Sequence, residues 1–378
     1  MDNSRKLLMV VNNDWFFLSH RKDIALKARE DGWDVTVIAH DTGKGEAIRN
    51  LGLKYINLPI DSTGMNPVHE MRTLIFLTKL YRKNRDAVVH HVGLKNIVWG
   101  GIAARWAGVR GVVNAVSGLG SLFSDESSML SKGLLKLMKW GQHRSNVRVI
   151  FQNHDDEALF DKFKVMRPEC KRFIKGSGID LKDFCYRPEP RQGKLKVIFT
   201  GRMIVEKGVF FLIEAANKLR DKYSDRVEFW LVGDLYPHPK AIKREQLEGL
   251  CDGTYIKWLG HRNDVKELLA QSAIVAFPSF YREGLPKSLI EANAVGRPII
   301  TTDSIGCRDT VEDGVNGFLI PPKDSDALAM RISELIDNPQ LREKMGLAAR
   351  RIAERDFSID NVVAKHLEIY NELNATGA

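Results

Sequence analysis

The sequence predicts an α/β protein with two Rossmann-like domains that face a cleft, each built on a parallel sheet covered by helices. Three observations lead to this fold. The chain has 378 residues, which is too many for one ordinary hydrophobic core and suits two domains. Apolar runs rich in β-branched residues alternate with amphipathic stretches, as in parallel sheets with both faces covered. The alternation begins again at Leu195, which indicates a second domain of the same kind.

The elements follow one another as strands and helices. In the first half, strands are predicted at 6–12, 34–39, 54–58, 87–91, 111–115 and 147–151. Helices are predicted there at 19–32, 46–51, 67–84, 96–106 and 130–141. In the second half, the clearest strands are 195–200 and 273–277, and the clearest helices are 209–223, 287–295, 327–336 and 359–373. The pattern gives a first domain at 1–175, a hinge at 176–189 and a second domain at 190–355.

A glycine-containing turn follows the predicted strand at 195–200. It places Arg202 directly after Gly201, and Lys207 comes five residues later, just before Gly208. An Arg side chain can bind a diphosphate through two hydrogen bonds, and a Lys side chain adds a mobile charge. The pair therefore predicts an anion-binding site, whereas an isolated basic pair at a strand end is more often solvated surface.

Two carboxylates, Glu283 and Glu291, stand eight residues apart around the start of a predicted helix. Unpaired backbone N–H groups at a helix N-terminus attract phosphate. Flanking carboxylates suit a ligand that is hydroxylated at both ends, as a nucleotide-sugar is. The alternative for the two Glu residues alone is a helix cap and a salt bridge. The turn between them consists of Gly284, Leu285, Pro286 and Lys287.

The two motifs, Gly201-Arg202-x4-Lys207-Gly208 and Glu283-x7-Glu291, resemble the donor-site signatures of the retaining family 4 glycosyltransferases, which have the GT-B fold. The resemblance extends over nearly the whole chain and is nearest to bacterial enzymes that extend lipid-linked oligosaccharides. It implies a glycosyltransferase that uses a UDP-sugar and retains the anomeric configuration. It also implies that a helix at 356–378 packs back on the first domain.

The resemblance assigns roles to the donor-site residues. Arg202 and Lys207 would neutralise the departing diphosphate, and Glu283 would bind hydroxyls of the transferred sugar. Glu291 would bind the ribose hydroxyls. The other donor-binding positions are Gly201, the backbone of Gly284, Leu285, Pro286 and Lys287, then His261 and Arg262 near the base, and Gly118 and Gly120 opposite the diphosphate.

The acceptor implied by the resemblance is a saccharide linked to a polyprenyl diphosphate. The loop predicted after the first strand carries three aromatics, Trp15, Phe16 and Phe17. Three consecutive aromatic side chains cannot all face one core, so one of them could contact the acceptor or its lipid. The candidate acceptor-binding residues are His20, Arg21, Lys95 and Ser117. The alternative is that His20 and Arg21 begin an amphipathic helix on its solvent side and that Lys95 is a solvated side chain.

Positive charge is concentrated in the first half of the chain. Residues 1–175 hold 28 Lys and Arg against 18 Asp and Glu, whereas residues 176–378 hold 29 against 30. Such an asymmetry indicates an acidic partner. Two helical stretches, 71–85 and 131–144, place basic residues opposite an apolar stripe, so we expect the stripes in the core and the basic faces on anionic lipid or the acceptor. The stripe of the second stretch consists of Leu130, Leu134, Leu137 and Met138. We expect no nucleic acid partner, because the sequence has no recognition module for one.

The sequence gives expectations for location and cofactors. No apolar run approaches the ~20 residues needed to cross a bilayer, and the run at 7–11 is too short for a signal peptide. We therefore expect a cytoplasmic protein held peripherally at the inner face of the cytoplasmic membrane. No metal is expected, because the single Asp-x-Asp, Asp324 and Asp326, directly precedes a helix and suits a cap. The four cysteines lack the C-x-x-C spacing of a zinc site.

Two other functions fit the same architecture. A nucleotide-sugar 2-epimerase would need acid–base residues near the sugar and no lipid acceptor, and the basic first half disfavours it. A non-catalytic nucleotide- or lipid-binding module is disfavoured by the complete set of charged motif residues. A dehydrogenase is weaker still, because the first predicted strand is not followed by G-x-G-x-x-G.

Overall fold

The computed structural model describes residues 5–61, 66–119, 128–235 and 241–375. The chain forms two compact units, Met1–Gly178 together with Ile359–Ala378, and Ile179–Ser358. Most of the segment predicted as a hinge, 176–189, belongs to the second unit. Its Ile179 N–H donates to the carbonyl of Phe357 over 2.8 Å, which ties the start of the second unit to its end.

The first unit contains a seven-stranded parallel sheet. Its strands are β1 (Arg5–Asn13), β2 (Trp33–His40), β3 (Lys54–Asn57), β4 (Val88–Val92), β5 (Gly111–Val116), β6 (Val147–Phe151) and β7 (Lys171–Phe173). They lie in the order β3-β2-β1-β4-β5-β6-β7. The central strands β4, β5 and β6 are buried along their whole length, so helices must cover both faces of the sheet.

Within the described part of residues 1–178, the first unit contains seven α-helices. They are α1 (Asp14–His20), α2 (Lys22–Glu30), α3 (Gly45–Asn50), α4 (Pro67–Arg82), α5 (Gly101–Ala107), α6 (Met129–Gln142) and α7 (His154–Lys162). A π-helical turn, Asn96–Gly100, leads into α5. One apolar core lies between the sheet and α4, α5 and α6, and a second core lies on the opposite face, under α1 and α2.

Helix α1 occupies residues that the sequence predicts as a loop. The side chain of Asn13 caps the helix by accepting a hydrogen bond from the Phe16 N–H over 2.9 Å. Asp14 accepts from the N–H groups of Thr42 and Lys44, each over 2.8 Å. The loop prediction was wrong because these two polar residues terminate β1 and start a helix at once.

The second unit contains a six-stranded parallel sheet in the order β10-β9-β8-β11-β12-β13. Its strands are β8 (Leu195–Thr200), β9 (Val227–Val232), β10 (Ile256–Gly260), β11 (Ile274–Phe277), β12 (Ile299–Thr302) and β13 (Gly317–Ile320). Its helices are α8 (Val209–Tyr223), α9 (Arg244–Leu250), α10 (Val265–Gln271), α11 (Lys287–Val295), α12 (Ser325–Asp337) and α13 (Pro339–Ile352).

The last helix, α14 (Ile359–Ala375), belongs to the first unit although it follows the second unit in sequence. Leu373 packs against Gly111 of β5, where a Cβ would lie only 2.7 Å from the Leu373 side chain. Glu372 accepts hydrogen bonds from Arg148 over 2.6 Å and from Arg172 over 2.8 Å. Helix α14 therefore completes one covered face of the first sheet. In the described part of the chain, no helix combines the length and apolarity needed to cross a membrane.

The strand order fixes where a ligand can bind in the second unit. The chain runs from β8 to β9 and β10 on one side and then crosses to β11 on the other side. The loops that follow β8 and β11 therefore both start at the carboxyl ends of two adjacent strands, at the position where open α/β sheets bind ligands. Both predicted donor motifs lie on these two loops.

Candidate active site

The loop after β8 packs tightly against the loop after β11. From Gly201 the chain passes through a short 3₁₀ turn, Val205–Lys207, to Gly208 and then into α8. Gly208 has φ +79°, and a Cβ there would lie 2.0 Å from the carbonyl oxygen of Pro278. Only glycine combines this left-handed backbone with so close an approach, so Gly208 lets the two loops touch.

Hydrogen bonds join the same two loops. The Phe280 N–H donates to the carbonyl oxygen of Glu206 over 2.9 Å, and the Ser279 hydroxyl donates to the same oxygen over 3.3 Å. The Ser304 hydroxyl donates to the Ser279 carbonyl over 2.9 Å. The side chains that follow on each loop are thereby held in fixed positions.

Lys207 and Glu283 form an ion pair at the junction of these loops. The Lys207 side chain is 9% exposed and that of Glu283 is 12% exposed. The Ser279 hydroxyl also donates to Glu283, over 3.4 Å, and the Lys207 Nζ lies 4.9 Å from the centre of the Phe277 ring. Two nearly buried opposite charges stabilise each other here, and removing either one would leave its partner unpaired.

Arg202 precedes Lys207 on the same loop and is in electrostatic range of Tyr281. Burial raises the pKa of the Tyr281 phenol, and the Glu283 carboxylate raises it further, whereas Arg202 lowers it. Glu206 is a further carboxylate near this phenol and also raises its pKa. Arg202 and Glu283 are thus both within electrostatic range of one side chain, and Lys207 is bonded to Glu283. The structure thus brings Lys207 and Glu283 into direct contact and places Arg202 on the same loop as Lys207.

Helix α11 begins directly beyond this cluster. Pro286 is the N-cap of this helix, so its first helical residue is Lys287, as the sequence predicts. Gly296 ends the helix with φ +81°. A Cβ at Gly306 would lie 2.4 Å from the Gly284 carbonyl oxygen, so the turn that leads into α11 is closely packed. Leu285 is buried in a small apolar cluster with Ile290. Lys287, the first helical residue, carries a further positive charge beside this turn.

Glu291 lies on α11, four residues after Lys287. Burial raises the pKa of its carboxyl from its ordinary value of 4.5 to about 7, and Lys287 opposes this shift. No residue in the described ranges donates a hydrogen bond to this carboxylate. Its acceptor oxygens therefore remain available to the hydroxyl groups of a ligand.

His261 and Arg262 follow β10, which is separated from β8 only by β9. Both side chains are exposed, and Arg262 forms an ion pair with Asp264 over 2.5 Å. The Gly233 N–H at the end of β9 donates to the carbonyl of Gly260 over 2.9 Å. His261 and Arg262 therefore lie, like the Lys207–Glu283 pair, at the carboxyl ends of the strands of this sheet. Their contact with a base remains a prediction.

The predicted residues of the first unit are spread over several loops. Gly118 follows β5 with φ +93°, Ser117 is partly buried beside it, and Gly120 lies outside the described residues. The Lys95 Nζ donates to the Glu70 carboxylate over 2.7 Å and to the Asp61 carbonyl over 2.6 Å. Lys95 is therefore a paired side chain and not a solvated one.

His20 and Arg21 differ from each other. The His20 ring stacks on Phe16 with 4.3 Å between ring centres, and it is partly exposed. Arg21 is only 2% exposed, and burial lowers its pKa to about 10, with an opposing effect of Tyr370 from α14. The alternative that Arg21 lies on the solvent side of a helix was wrong, because this residue is buried near Tyr370 of α14. Its role in acceptor binding stays a prediction. Of the three aromatics, Phe17 is fully buried and Trp15 is 38% exposed.

The sequence analysis missed three residues around the Lys207–Glu283 pair, namely Glu206, Ser279 and Tyr281. Each lies within four positions of a predicted residue, so proximity in the chain was an available signal. The sequence could not show that the backbone carbonyl of Glu206 accepts hydrogen bonds from the loop after β11.

The Asp-x-Asp segment serves the second unit structurally. Asp324 caps α12 by accepting from the Ala327 N–H over 2.8 Å. Asp326 pairs with Lys218 over 2.6 Å. Within the described ranges, no group of three or more His, Cys, Asp or Glu side chains is arranged to bind a metal ion.

Two known families match the two halves of the chain. Residues 6–153 match the family described as "Glycosyl transferase 4-like", and residues 194–338 match "Glycosyl transferases group 1". The first match covers the sheet of the first unit up to α6 and β6, and the second covers the loops that hold Lys207 and Glu283.

Two curated relatives align with nearly the whole chain. One is the N,N'-diacetylbacillosaminyl-diphospho-undecaprenol alpha-1,3-N-acetylgalactosaminyltransferase of Campylobacter jejuni, 28% identical over 369 residues, covering 92% of this chain and 93% of the relative. Another is the UDP-Gal:alpha-D-GlcNAc-diphosphoundecaprenol alpha-1,3-galactosyltransferase of Escherichia coli, 26% identical over 358 residues, covering 90% of this chain and 89% of the relative.

Solved structures show the same fold. The HepE protein of Anabaena in complex with UDP superposes with a TM-score of 0.79 at 21% identity, covering 97% of this chain and 100% of that one. The sucrose-phosphate synthase of Thermosynechococcus elongatus gives 0.81 at 20% identity, covering 98% and 100%. The chain therefore belongs to the glycosyltransferases with the GT-B fold, with a glycosyltransferase 4-like first domain and a group 1 second domain.

Proposed function

We propose that the protein transfers a hexose or N-acetylhexosamine from a UDP-sugar to a saccharide linked to a polyprenyl diphosphate, with retention of the anomeric configuration. The observation that carries this proposal is the ion pair of Lys207 and Glu283 where the loops after β8 and β11 touch, with Arg202 on the same loop as Lys207. A nucleoside diphosphate gains negative charge as the glycosidic bond breaks. Two cations in a largely buried place stabilise that charge more strongly than they would in water.

Each side chain then has a distinct task. Arg202 and Lys207 bind the diphosphate, and the backbone N–H groups at the start of α11 add to this site. Glu283 accepts hydrogen bonds from the sugar, and Glu291 accepts from the ribose. Since Glu283 is held by Lys207, attack on the same face as the departing phosphate fits the site better than a covalent intermediate on this carboxylate.

The proposed acceptor and location rest on the relatives and on the charge of the first unit. Both curated relatives are named for acceptors that carry diphospho-undecaprenol. The first half of this chain has 28 Lys and Arg against 18 Asp and Glu, which suits an anionic acceptor at an anionic surface. We place the reaction in surface polysaccharide or glycan biosynthesis, at the cytoplasmic face of the membrane.

We also propose that the reaction needs no metal ion. In metal-dependent transfer the ion neutralises the leaving diphosphate, and in this proposal Arg202 and Lys207 supply that positive charge. The carboxylates of the Asp-x-Asp segment are engaged elsewhere, Asp324 as a helix cap and Asp326 with Lys218.

The test is an incubation of the protein with radiolabelled UDP-sugars and undecaprenyl-diphosphate saccharide, with and without a chelator. We expect label in the lipid extract, unaffected by the chelator, with the anomeric configuration of the donor. Isomerised UDP-sugar without an acceptor would indicate a 2-epimerase instead. Tight UDP binding with neither reaction would indicate a non-catalytic module.

A further inference from the structure

Helix α6 presents three different faces around its axis. At about 100° per residue, its buried side carries Ser131, Leu135 and Met138. Lys132, Lys136 and Lys139 form an exposed basic side. The remaining side is apolar and also exposed, and its residues are Met129 at 85%, Leu130 at 46%, Leu137 at 39% and Trp140 at 42%. The prediction that this apolar stripe faces the core was therefore right for Met138 and for the partly buried Leu134, but wrong for Leu130 and Leu137, which are exposed.

The apolar side of α6 continues onto α5. The ring of Trp106 on α5 meets the ring of Trp140 edge to face, with 6.2 Å between centres. Trp106 is 52% exposed. The guanidinium of Arg105 lies 4.7 Å from the centre of the Trp140 ring and donates to the Trp140 carbonyl over 2.7 Å. Two exposed indole rings are thus fixed side by side next to a cation.

Helix α4 repeats this combination. Helix α5 packs against both α4 and α6, and the three helices cover the same face of the sheet. The predicted stripe of α4 does face the core, but a second apolar row is exposed, formed by Val68, Met71 and Ile75. Its exposed neighbours are basic, namely Arg72, Lys79 and Arg82. The single acidic residue of α4, Glu70, is buried against Lys95, and α6 has none.

We propose that the exposed residues of α4, α5 and α6, the three-helix surface, insert their apolar side chains into the headgroup region of an anionic phospholipid bilayer. This inference rests on the proposed function, in which the acceptor is carried by a lipid. Tryptophan favours the boundary between water and hydrocarbon. Lysines beside such an apolar patch attract anionic headgroups and do not require the exact geometry of a protein partner.

The combination excludes a purely electrostatic contact. A surface that only attracts headgroups needs no exposed tryptophans, and an apolar surface that binds a second protein copy is usually poor in lysine at its core. Insertion adds a contribution from buried apolar area that salt does not screen. We therefore expect binding to anionic vesicles that weakens with salt but survives it.

The test is co-sedimentation of the full-length protein with vesicles, either of phosphatidylcholine alone or of phosphatidylcholine and phosphatidylglycerol in equal parts, without donor or acceptor. One variant combines Leu137→Ser with Trp140→Ser, and a second replaces Lys132, Lys136 and Lys139 with Gln. The matched controls lie elsewhere on the surface. They are Met330→Ser with Leu347→Ser, which are 58% and 39% exposed, and a Gln replacement of Lys182, Lys344 and Lys365, which are also exposed.

The expected result is a loss of at least about tenfold in affinity for anionic vesicles in each surface variant, with both controls near wild type. The single variant Trp106→Ser provides an independent check in case the double variant does not fold. Loss in the lysine variant alone would overturn insertion, and equal binding to neutral vesicles would overturn the anionic partner. A concentration-dependent dimer that the apolar variant abolishes, without vesicle binding, would overturn the lipid in favour of a second copy.

Sugar transfer to a water-soluble, short-chain acceptor separates this inference from the proposed function. We expect both surface variants to keep wild-type transfer to that acceptor. Normal transfer with vesicle binding unchanged in both variants would overturn the three-helix surface and leave the function standing. Vesicle binding lost as expected, with no transfer by wild type from any UDP-sugar, would overturn the function and leave the surface standing.

Discussion

Lys207 and Glu283 depend on each other because both are almost enclosed and each is the other's counter-charge. In our proposal Lys207 also binds the diphosphate in the transition state. We expect Lys207→Ala and Glu283→Ala each to lower kcat for sugar transfer by roughly a hundredfold or more, as is usual when a preorganised charge is lost. Steady-state kinetics with a UDP-sugar and a soluble acceptor measure this.

Lys222→Ala is the matched control for that loss. Lys222 lies on α8, the helix that follows the turn holding Lys207, but it is 62% exposed and pairs with Asp337 at the surface. We expect its kcat to stay within about twofold of wild type, since exposed pairs contribute little. Near-wild-type rates in both Lys207→Ala and Glu283→Ala would show that the site is assigned to the wrong residues.

Glu291 gives the stability of the second unit a dependence on pH. Its folded-state pKa is about 7 against an ordinary 4.5, so between these values the folded protein keeps a proton that the unfolded chain releases. The stability therefore falls as pH rises from about 4.5 to about 7. We expect Glu291→Gln to match wild type near pH 4 and to exceed it above pH 7 by up to roughly 3 kcal/mol. Urea unfolding at a series of pH values measures the difference, and a constant difference would contradict the assignment.

At the scale of elements, Gly208 is the point where two crossover loops meet. Gly208→Ala would place a methyl group against the Pro278 carbonyl and strain the left-handed backbone. We expect a loss of about 2 kcal/mol or more in unfolding free energy, together with reduced transfer, because the loops that hold Lys207 and Glu283 must separate.

Replacing a glycine inside a helix by alanine should have the opposite effect on the free energy of unfolding. Gly249 lies in α9 with no atom within 4 Å of an added Cβ. We expect Gly249→Ala to stabilise the protein by up to about 1 kcal/mol. Thermal unfolding of both variants compares the two positions directly, and destabilisation of similar size at both would contradict the packing argument.

The elements that the sequence predicted well are helices whose ends are marked by capping or helix-ending residues. Helix α11 runs over the predicted 287–295 because Pro286 and Gly296 mark its two ends, and Asp324 caps α12 as expected. Helix α1 was missed because its N-cap, Asn13, and its first residue, Asp14, are also typical of loops. The prediction for the apolar stripe of α6 failed at Leu130 and Leu137, because an apolar residue looks the same in sequence whether it faces a core or the outside.

The candidate site was only partly predictable for a related reason. The types and spacing of Arg202, Lys207 and Glu283 are visible in the sequence, and the alternation of strands and helices places both loops at the carboxyl ends of strands. The direct pairing of Lys207 with Glu283 and the backbone link through Glu206 depend on the contact between two loops about eighty positions apart. The burial of Arg21 depends on a helix that lies some 350 positions away.

At the scale of the whole molecule, the first unit depends on α14. Its buried residues include Val362, Ile369, Tyr370 and Leu373. Full burial of each such side chain contributes about 1.5–3 kcal/mol, and a domain's total stability is only about 5–15 kcal/mol. We expect removal of residues 359–378 to unfold the first unit and leave the second folded. Hydrogen exchange should show protection lost in β1 to β7 and retained in β8 to β13, and retained protection throughout would contradict this.

The return of α14 to the first unit also sets an order of events during synthesis. The ribosome makes helix α14 only after it has translated residues 179–358. Until then, the first unit lacks the helix that completes one covered face of its sheet. The second unit is continuous in sequence and can mature in the meantime. We therefore expect nascent chains stalled shortly before Ile359 to carry a folded second unit and an incompletely folded first unit that chaperones recognise.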